Sequence, residues 1–536
     1  MDNRRRLQLL LLLLLQMRLF GIANSMDSFE QLFSNSYAQF SSQPISFRLP
    51  MPTELQGSMI HNGLGLFDFE HRSFVHPFDG LAKLTKIDFV PGSRRGNFSM
   101  KFLRTAVFEQ SLLRNDIAPY LFFDGVEPAF NLLQRALSLL HGLDNMNVNV
   151  VRLRSETYAN YSAYLALNDI TRSYRFDPVS LDTLGCVKAQ AFETEDTNSI
   201  LGFLSHLSSA HPLPEFGTDY YLTFVTSIDP KKILQSEWSC SVSIVRMTSD
   251  TERQVLHTWQ LSQASYMHSF AATRRLVLLF LNPLFINMAA MVTTADPVRS
   301  LDWRPDRPMR VLWLDLRTGA TGEAAIVDRH FLMHHINAYE EGPEVGNASS
   351  ATVIVDATAY PDLGFLQNLT RKNLRDPTLR NQIPVNSLLR RYRVHLATGT
   401  VQPLEVPYRQ ANDPIRSLEM PVINEAYRFR RYCFVYGVLL KSDSRDLAKV
   451  SLVKKSLCNA ADDRRWHADR HFPSEPVFYQ ARGASAEDDG YLVSLIMDAP
   501  RNVTYVGVFN ATDMTLVNEA DLPTWVPYRL HGKAFP

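Results

Sequence analysis

Four of the fifteen histidines in this 536-residue chain stand where a turn gives way to an apolar strand. His211 lies in Ser208-Ser209-Ala210-His211-Pro212, and His268 in Ser265-Tyr266-Met267-His268-Ser269-Phe270. His334 lies in the apolar segment from Phe331 to Tyr339, and His531 in Val526-Pro527-Tyr528-Arg529-Leu530-His531-Gly532 near the end of the chain. Imidazole suits iron, copper, nickel and zinc, and iron and copper are the two that readily activate dioxygen. No two of the four form a local HxH or HxxxH pair with each other, so a shared site would have to be assembled from far-apart segments. Spacing leaves two readings open for each: a metal ligand, or a hydrogen-bonded structural histidine. One local rule applies at His334-His335. Successive side chains of a strand face opposite ways, so only one of the two can point at a given centre.

Other chemistries find little support. No GxSxG sequence offers a serine nucleophile, and Gly125 and Gly142 are isolated rather than part of a phosphate-binding loop. Cys186, Cys240, Cys433 and Cys458 are widely separated and form no CxxC pair, which allows one or two disulfides or free buried thiols but no zinc knuckle. Lys plus Arg equals Asp plus Glu at 55 each, so no overall positive field favours nucleic acid.

The elements that must position these residues read as an all-β protein. Short apolar or alternating runs recur along the chain, among them Ala82–Val90, Tyr221–Val225, Ser241–Val245, Leu276–Leu281, Val311–Leu314 and Tyr491–Ile496. Alternation in Ala82–Val90 predicts a half-buried strand. The glycine-rich stretch from Ser46 to Phe69 reads as irregular and turn-rich, and Glu341–Ser350 as a surface linker. Many short strands at fairly even spacing indicate a sandwich, barrel or propeller, and no fixed-period repeat is present. Helix is scarce. The best candidate runs from Pro128 to Leu143, with Phe130, Leu133, Leu137 and Leu140 on one stripe. Packing of that stripe on the sheet core is the ordinary expectation. The sharper one is a membrane-resting patch or lid over the 120–143 region, which includes the cluster Tyr120-Leu121-Phe122-Phe123.

At the N-terminus Arg4-Arg5-Arg6 precedes the leucine run Leu7–Leu15 and small residues near Ala23. That pattern predicts a signal peptide, or an uncleaved signal anchor, over residues 1–25, with one large domain over 26–536. It predicts a secretory destination, secreted or held in or on the endoplasmic reticulum, in preference to a cytosolic membrane-associated one. Sequons at Asn97, Asn160, Asn347, Asn368, Asn502 and Asn510 are compatible with a glycoprotein.

The chain resembles the carotenoid cleavage oxygenases, which include carotene dioxygenases and a retinoid isomerohydrolase. The segments carrying the likeness are Asn62-Gly63-Leu64-Gly65, Phe78-Asp79-Gly80, Phe102-Leu103-Arg104-Thr105, Ala210-His211-Pro212, Tyr266–Phe270, His334–Glu340, Glu419–Asn424, Glu487-Asp488-Asp489-Gly490 and Val526–Gly532. The resemblance implies a seven-bladed β-propeller with a helical and loop cap over its top face. It also implies one Fe(2+) held by His211, His268, His334 and His531, with dioxygen as co-substrate. Ligating imidazoles donate their second N–H to a carboxylate, and the family pattern falls on Glu419, Glu487 and, with a shorter side chain and an expected longer or water-mediated bond, Asp169. His61 and Leu64 depart from the family's residues at their positions. About 510 residues after a leader give each of seven blades roughly 73, enough for four strands and a cap. The function implied is oxidative cleavage of a conjugated double bond in a carotenoid or apocarotenoid. The alternatives are a retinyl-ester isomerohydrolase on the same iron and a non-enzymatic carotenoid or retinoid carrier.

Overall fold

The last strand of the chain, Arg529–Phe535, pairs with one of the first, Gly57–Leu66, and closes the molecule into a ring. The computed structural model describes residues 28–156, 162–189, 207–228, 240–342, 351–410, 413–441 and 446–535. The leader at 1–25, most of the linker at 341–350 and the sequons at Asn160 and Asn347 lie outside the described residues. Nearly all regular structure is antiparallel strand, arranged as a β-propeller. Five of the larger sheets have four or five strands and one has eight. The eight-stranded sheet is two meanders joined by one parallel pairing, Ala325 with Thr400. The described residues therefore form seven antiparallel meanders.

Packing of sheet on sheet explains why the strands are more apolar than a one-faced sheet requires. All six residues of Leu276–Leu281 are buried, packing on one face with Val353, Val355 and Tyr392 of the next meander and on the other with Val242 and Ile244 of the previous one. The same double coverage corrects the expectation for Ala82–Val90. The strand spans Leu81–Phe89 and is buried throughout except at Asp88. Its polar alternates are satisfied inside: Lys83 Nζ donates to the carbonyl and hydroxyl of Ser36, and Lys86 Nζ to the Val179 carbonyl at 2.8 Å.

Gly57–Leu66 is a ten-residue strand, not the irregular stretch its glycines suggest. Those glycines serve close approach. A Cβ on Gly63 would lie 2.8 Å from the Tyr528 carbonyl oxygen and 2.9 Å from Arg529 Cα, and one on Gly65 would lie 2.6 Å from the Phe102 ring. Arg529, itself fully buried, locks the closure by donating to the carbonyls of Pro527, Lys83 and Leu64. Burial pushes its guanidinium down to about 9, so it remains a cation at neutral pH, held by carbonyl dipoles.

Six short α-helices lie among the described residues. The helix expected over 128–143 spans Leu132–His141, capped reciprocally by Asn131 and Gln134. The expected stripe is split: Phe130 is buried and Leu137 half-buried, but Leu133 and Leu140 are 70% and 46% exposed, Leu132 beside them is 80% exposed, and Ser138 and Leu139 face inward. Leu112 and Leu113 of the neighbouring helix Ala106–Arg114 are exposed as well. The aromatic cluster at 120–123, by contrast, is packed, with Asp79 accepting from the Phe123 and Asp124 backbone N–H groups at 2.5 and 3.0 Å.

A Gly63→Ala substitution tests the closure. It forces backbone apart where the first and last strands meet, and overpacking of this kind costs about 1–3 kcal/mol. The thermal unfolding midpoint of the full chain is expected to fall, as read by calorimetry.

Candidate metal centre

The four histidines arrive from four different meanders. His531 lies on the closing strand. His334 lies on Phe331–Glu341, the edge strand of its meander, and His268 three residues before the edge strand Ala271–Ala272. His211 lies between the short strands Leu207–Ser208 and Leu213–Pro214, which lie end to end against Tyr221–Ile228. The structure brings all four together: one ring nitrogen of each lies within 4.8 Å of the corresponding nitrogen of every other. His211 Nε2 and His268 Nε2 are 2.9 Å apart. In five of the six pairs the ring centroids stand 4.4 to 5.2 Å apart, and those rings are steeply inclined, as when edges rather than faces converge.

The remaining three meanders supply carboxylates. His268 Nδ1 lies 2.9 Å from Asp169 Oδ2, His334 Nδ1 3.0 Å from Glu419 Oε2, and His531 Nδ1 2.8 Å from Glu475 Oε1. Asp169 makes its bond directly, so the shorter side chain needs no bridging water. It also accepts from the Tyr266 hydroxyl at 3.1 Å and the Ala210 backbone N–H at 3.0 Å. Glu419 accepts from the Tyr360 hydroxyl at 2.5 Å, and Glu475 from the Gly532 backbone N–H at 2.9 Å. Among the described residues His211 has no carboxylate partner.

Glu487 is not at the centre, which corrects the sequence assignment. It accepts from the backbone N–H groups of Cys433 and Phe434 at 2.7 and 2.6 Å. The reason is topological. Glu475 precedes the strand Val477–Gln480, whereas Glu487 sits in the turn at the far end of the hairpin that this strand makes with Gly490–Asp498. A signal was available. Glu419 and Glu475 both stand in apolar segments just ahead of a proline, Pro421 and Pro476, while Glu487 opens the polar turn Glu487-Asp488-Asp489-Gly490. Cys433 is disulfide-bonded to Cys458, and Cys240 is a buried thiol.

Electrostatics keep the rings mostly neutral. Burial pushes His531 down to about 3 and His211 well below the usual imidazole range, reinforced by the other rings. Burial also lowers His334 and outweighs its bond to Glu419. His268 is the exception: burial opposes its charged form, yet Asp169 carries it above the ordinary value. Burial raises Glu475 to about 7, while Glu419 is held below the usual range because His334 and Tyr360 outweigh its burial. An ionised carboxylate accepts only, so it fixes the proton of a neutral ring on Nδ1 and leaves a lone pair on Nε2. Buried Nε2 lone pairs aimed at one point repel unless a proton or a cation lies between them. Neutral nitrogen donors at this spacing fit a divalent transition metal: for bonds of about 2.1 Å, neighbouring donors lie about 3 Å apart and opposite ones about 4.2 Å. His335 points away, as strand alternation requires. Its Nδ1 meets Ser269 Oγ at 2.8 Å, its Nε2 is buried without a partner, and burial lowers it to about 3.

His268, His334 and His531 form part of the wall of a predominantly apolar cavity. Its other walls are Phe29, Phe33, Phe78, Phe123, Met333, Phe365, Leu369, Met420 and Leu447, contributed largely by cap segments and strand ends. Among the described residues no helix is long and apolar enough to cross a membrane.

A ring of sheets with one histidine cluster on its inner strands defines a class of protein, and sequence comparison agrees with it. The family described as retinal pigment epithelial membrane protein matches residues 43–535. The chain belongs to this family, that of the carotenoid cleavage oxygenases. Among individual relatives it is 26% identical over 495 residues to the apocarotenoid-15,15'-oxygenase of Synechocystis, covering 90% of this chain and 91% of that one. It is 24% identical over 536 residues to human beta,beta-carotene 15,15'-dioxygenase, covering 90% of each chain. The solved structure of cobalt-substituted Synechocystis apocarotenoid oxygenase superposes with a TM-score of 0.73 at 22% identity, covering 95% of this chain and 98% of that one.

The tyrosine behind Glu419 gives a direct test of the site's construction. Tyr360→Phe removes a donor from a buried carboxylate, which costs about 1–3 kcal/mol. The thermal midpoint is expected to drop accordingly, as read by calorimetry on the full chain.

Proposed function

We propose that His211, His268, His334 and His531 hold one ferrous ion, and that the protein is a dioxygenase splitting a conjugated double bond of a carotenoid or apocarotenoid into two carbonyl fragments. The observation that carries this reading is the pairing of three imidazoles with Asp169, Glu419 and Glu475 at the wall of an apolar tunnel. Ferrous iron supplies the dioxygen chemistry, and four neutral ligands leave the ion its full charge. The chain's own contribution is threefold. Carboxylates fix the ring tautomers, so Nε2 of each paired ring is presented without rearrangement. Phe and Leu side chains of the tunnel receive a long apolar substrate, keep water away and limit which carbon–carbon bond can come beside the histidines. Tyr266 and Tyr360 hold two of the carboxylates from behind. The names of the relatives, an apocarotenoid oxygenase and a carotene dioxygenase, support the substrate class.

Metal analysis and product identification test the reading together. Purified protein is expected to carry one iron per chain and to convert a set of carotenoids and apocarotenoids to aldehydes while consuming oxygen. Ester hydrolysis without oxygen would favour an isomerohydrolase, and pigment binding without iron a carrier. Glu475→Gln is expected to lower metal affinity about 10–100-fold. Glu487→Gln, whose carboxylate caps Cys433 and Phe434, leaves metal content unchanged.

We further propose that the exposed leucines Leu112, Leu113, Leu132, Leu133 and Leu140 rest on a lipid surface and give an insoluble substrate a route into the tunnel. Leu113→Ser combined with Leu133→Ser is expected to reduce co-sedimentation with phosphatidylcholine vesicles. The thermal midpoint should be unchanged, since both side chains are already in solvent.

A further inference from the structure

The strand that carries His334 near one end carries Tyr339, Glu340 and Glu341 at the other, roughly 17 to 23 Å away at about 3.3 Å per residue. A second cavity of about 820 Å³ opens there, remote from the histidines and unlike the tunnel in chemistry. Arginine dominates its lining. Three arginines are already committed to bidentate pairs: Arg275 with Asp315 at 2.9 and 2.7 Å, Arg391 with Asp356 at 2.7 and 2.9 Å, and Arg393 with Glu341 at 2.9 and 3.2 Å. Arg274, Arg430 and Arg431 line the same cavity and have no carboxylate partner among the described residues. The lone lining acid outside these pairs, Glu340, accepts from Thr273 Oγ1 at 2.7 Å.

Two of the uncommitted guanidinium groups are held in place without losing their donors. Arg274 Cζ lies 4.9 Å over the Phe216 ring, and Arg430 Cζ lies 4.1 Å over Tyr427. The Phe216 and Phe429 rings are 6.4 Å apart, which brings the backbone that carries Arg430 beside the ring under Arg274 although the two arginines are far apart in sequence. Stacking fixes the plane of a guanidinium and leaves its fork of N–H groups free for an oxyanion. Phosphate matches such forks in two directions at once, and more than one positive charge is available to meet its double charge. The volume exceeds what an inorganic ion fills and lies in the range of small-molecule sites.

We propose that this cavity binds a small ligand through a phosphate or pyrophosphate group held by Arg274, Arg430 and Arg431. The site stands apart from the oxygenase reading and does not depend on it. Pyrophosphate titrated into the full-length protein at constant ionic strength is expected to give saturable one-to-one heat and to raise the thermal midpoint. Arg430→Gln is expected to weaken that binding by about tenfold, as for loss of one charge-assisted fork. Arg430→Lys, which keeps the charge, retains part of the affinity. Arg307→Gln, an exposed arginine away from the cavity, leaves it unchanged. Absence of saturable heat with the wild-type protein would overturn the proposal, as would unchanged affinity in both Arg430→Gln and Arg431→Gln. Vesicles of phosphatidylcholine containing a phosphatidylinositol phosphate separate the two sources of this chemistry. Binding to them with none to free pyrophosphate would overturn a soluble ligand in favour of a lipid headgroup.

Discussion

Everything at the centre depends on where one proton sits on each imidazole. With Asp169, Glu419 and Glu475 placed against Nδ1 of His268, His334 and His531, the opposite nitrogen of each ring is left as a bare lone pair. Burial then makes protonation of most of those lone pairs unfavourable, as the lowered His334 and His531 show. A buried carboxylate would itself be costly, and each one is relieved by further donors: Tyr266, Tyr360 or a backbone N–H. The result is a cluster of donors organised before any ligand arrives, neutral except where Asp169 favours the charged form of His268.

The propeller makes this arrangement available. Seven meanders around one axis give seven inner segments that can each present a side chain to the same point. Four are used for histidine and three for the acids behind them. Closure by Arg529–Phe535 is part of the site and not only of the scaffold, because that strand delivers His531 and the Gly532 N–H that holds Glu475. The absence of a side chain at Gly63 and the buried Arg529 clamp therefore support the chemistry from a distance.

The molecule also separates its surfaces by chemistry. Apolar walls and exposed leucines are gathered with the cap and tunnel, while the arginine-lined cavity occupies the other end of the strand that carries His334. A strand of eleven residues is long enough to place His334 in one environment and Glu341 in the other.

Local pattern determined the strand Leu276–Leu281, the core Val311–Leu314 of the strand Met309–Asp315 and the outward turn of His335, because strand periodicity is a property of neighbouring residues. It determined the four candidate histidines once their surrounding motifs were compared with a known family. It misread Gly57–Leu66, where glycine serves close backbone approach and not a turn, and it placed the third acid at Glu487. Only the folded ring decides such points. His531 and Glu475 are 56 residues apart, and His268 and Asp169 are 99 apart, so their contacts depend on how whole sheets stack around an axis. No spacing along the chain encodes that distance in space. The same holds for the leucines of Leu132–His141: their stripe fits a core or a lipid surface equally well, and the position of the helix on the rim is what exposes them.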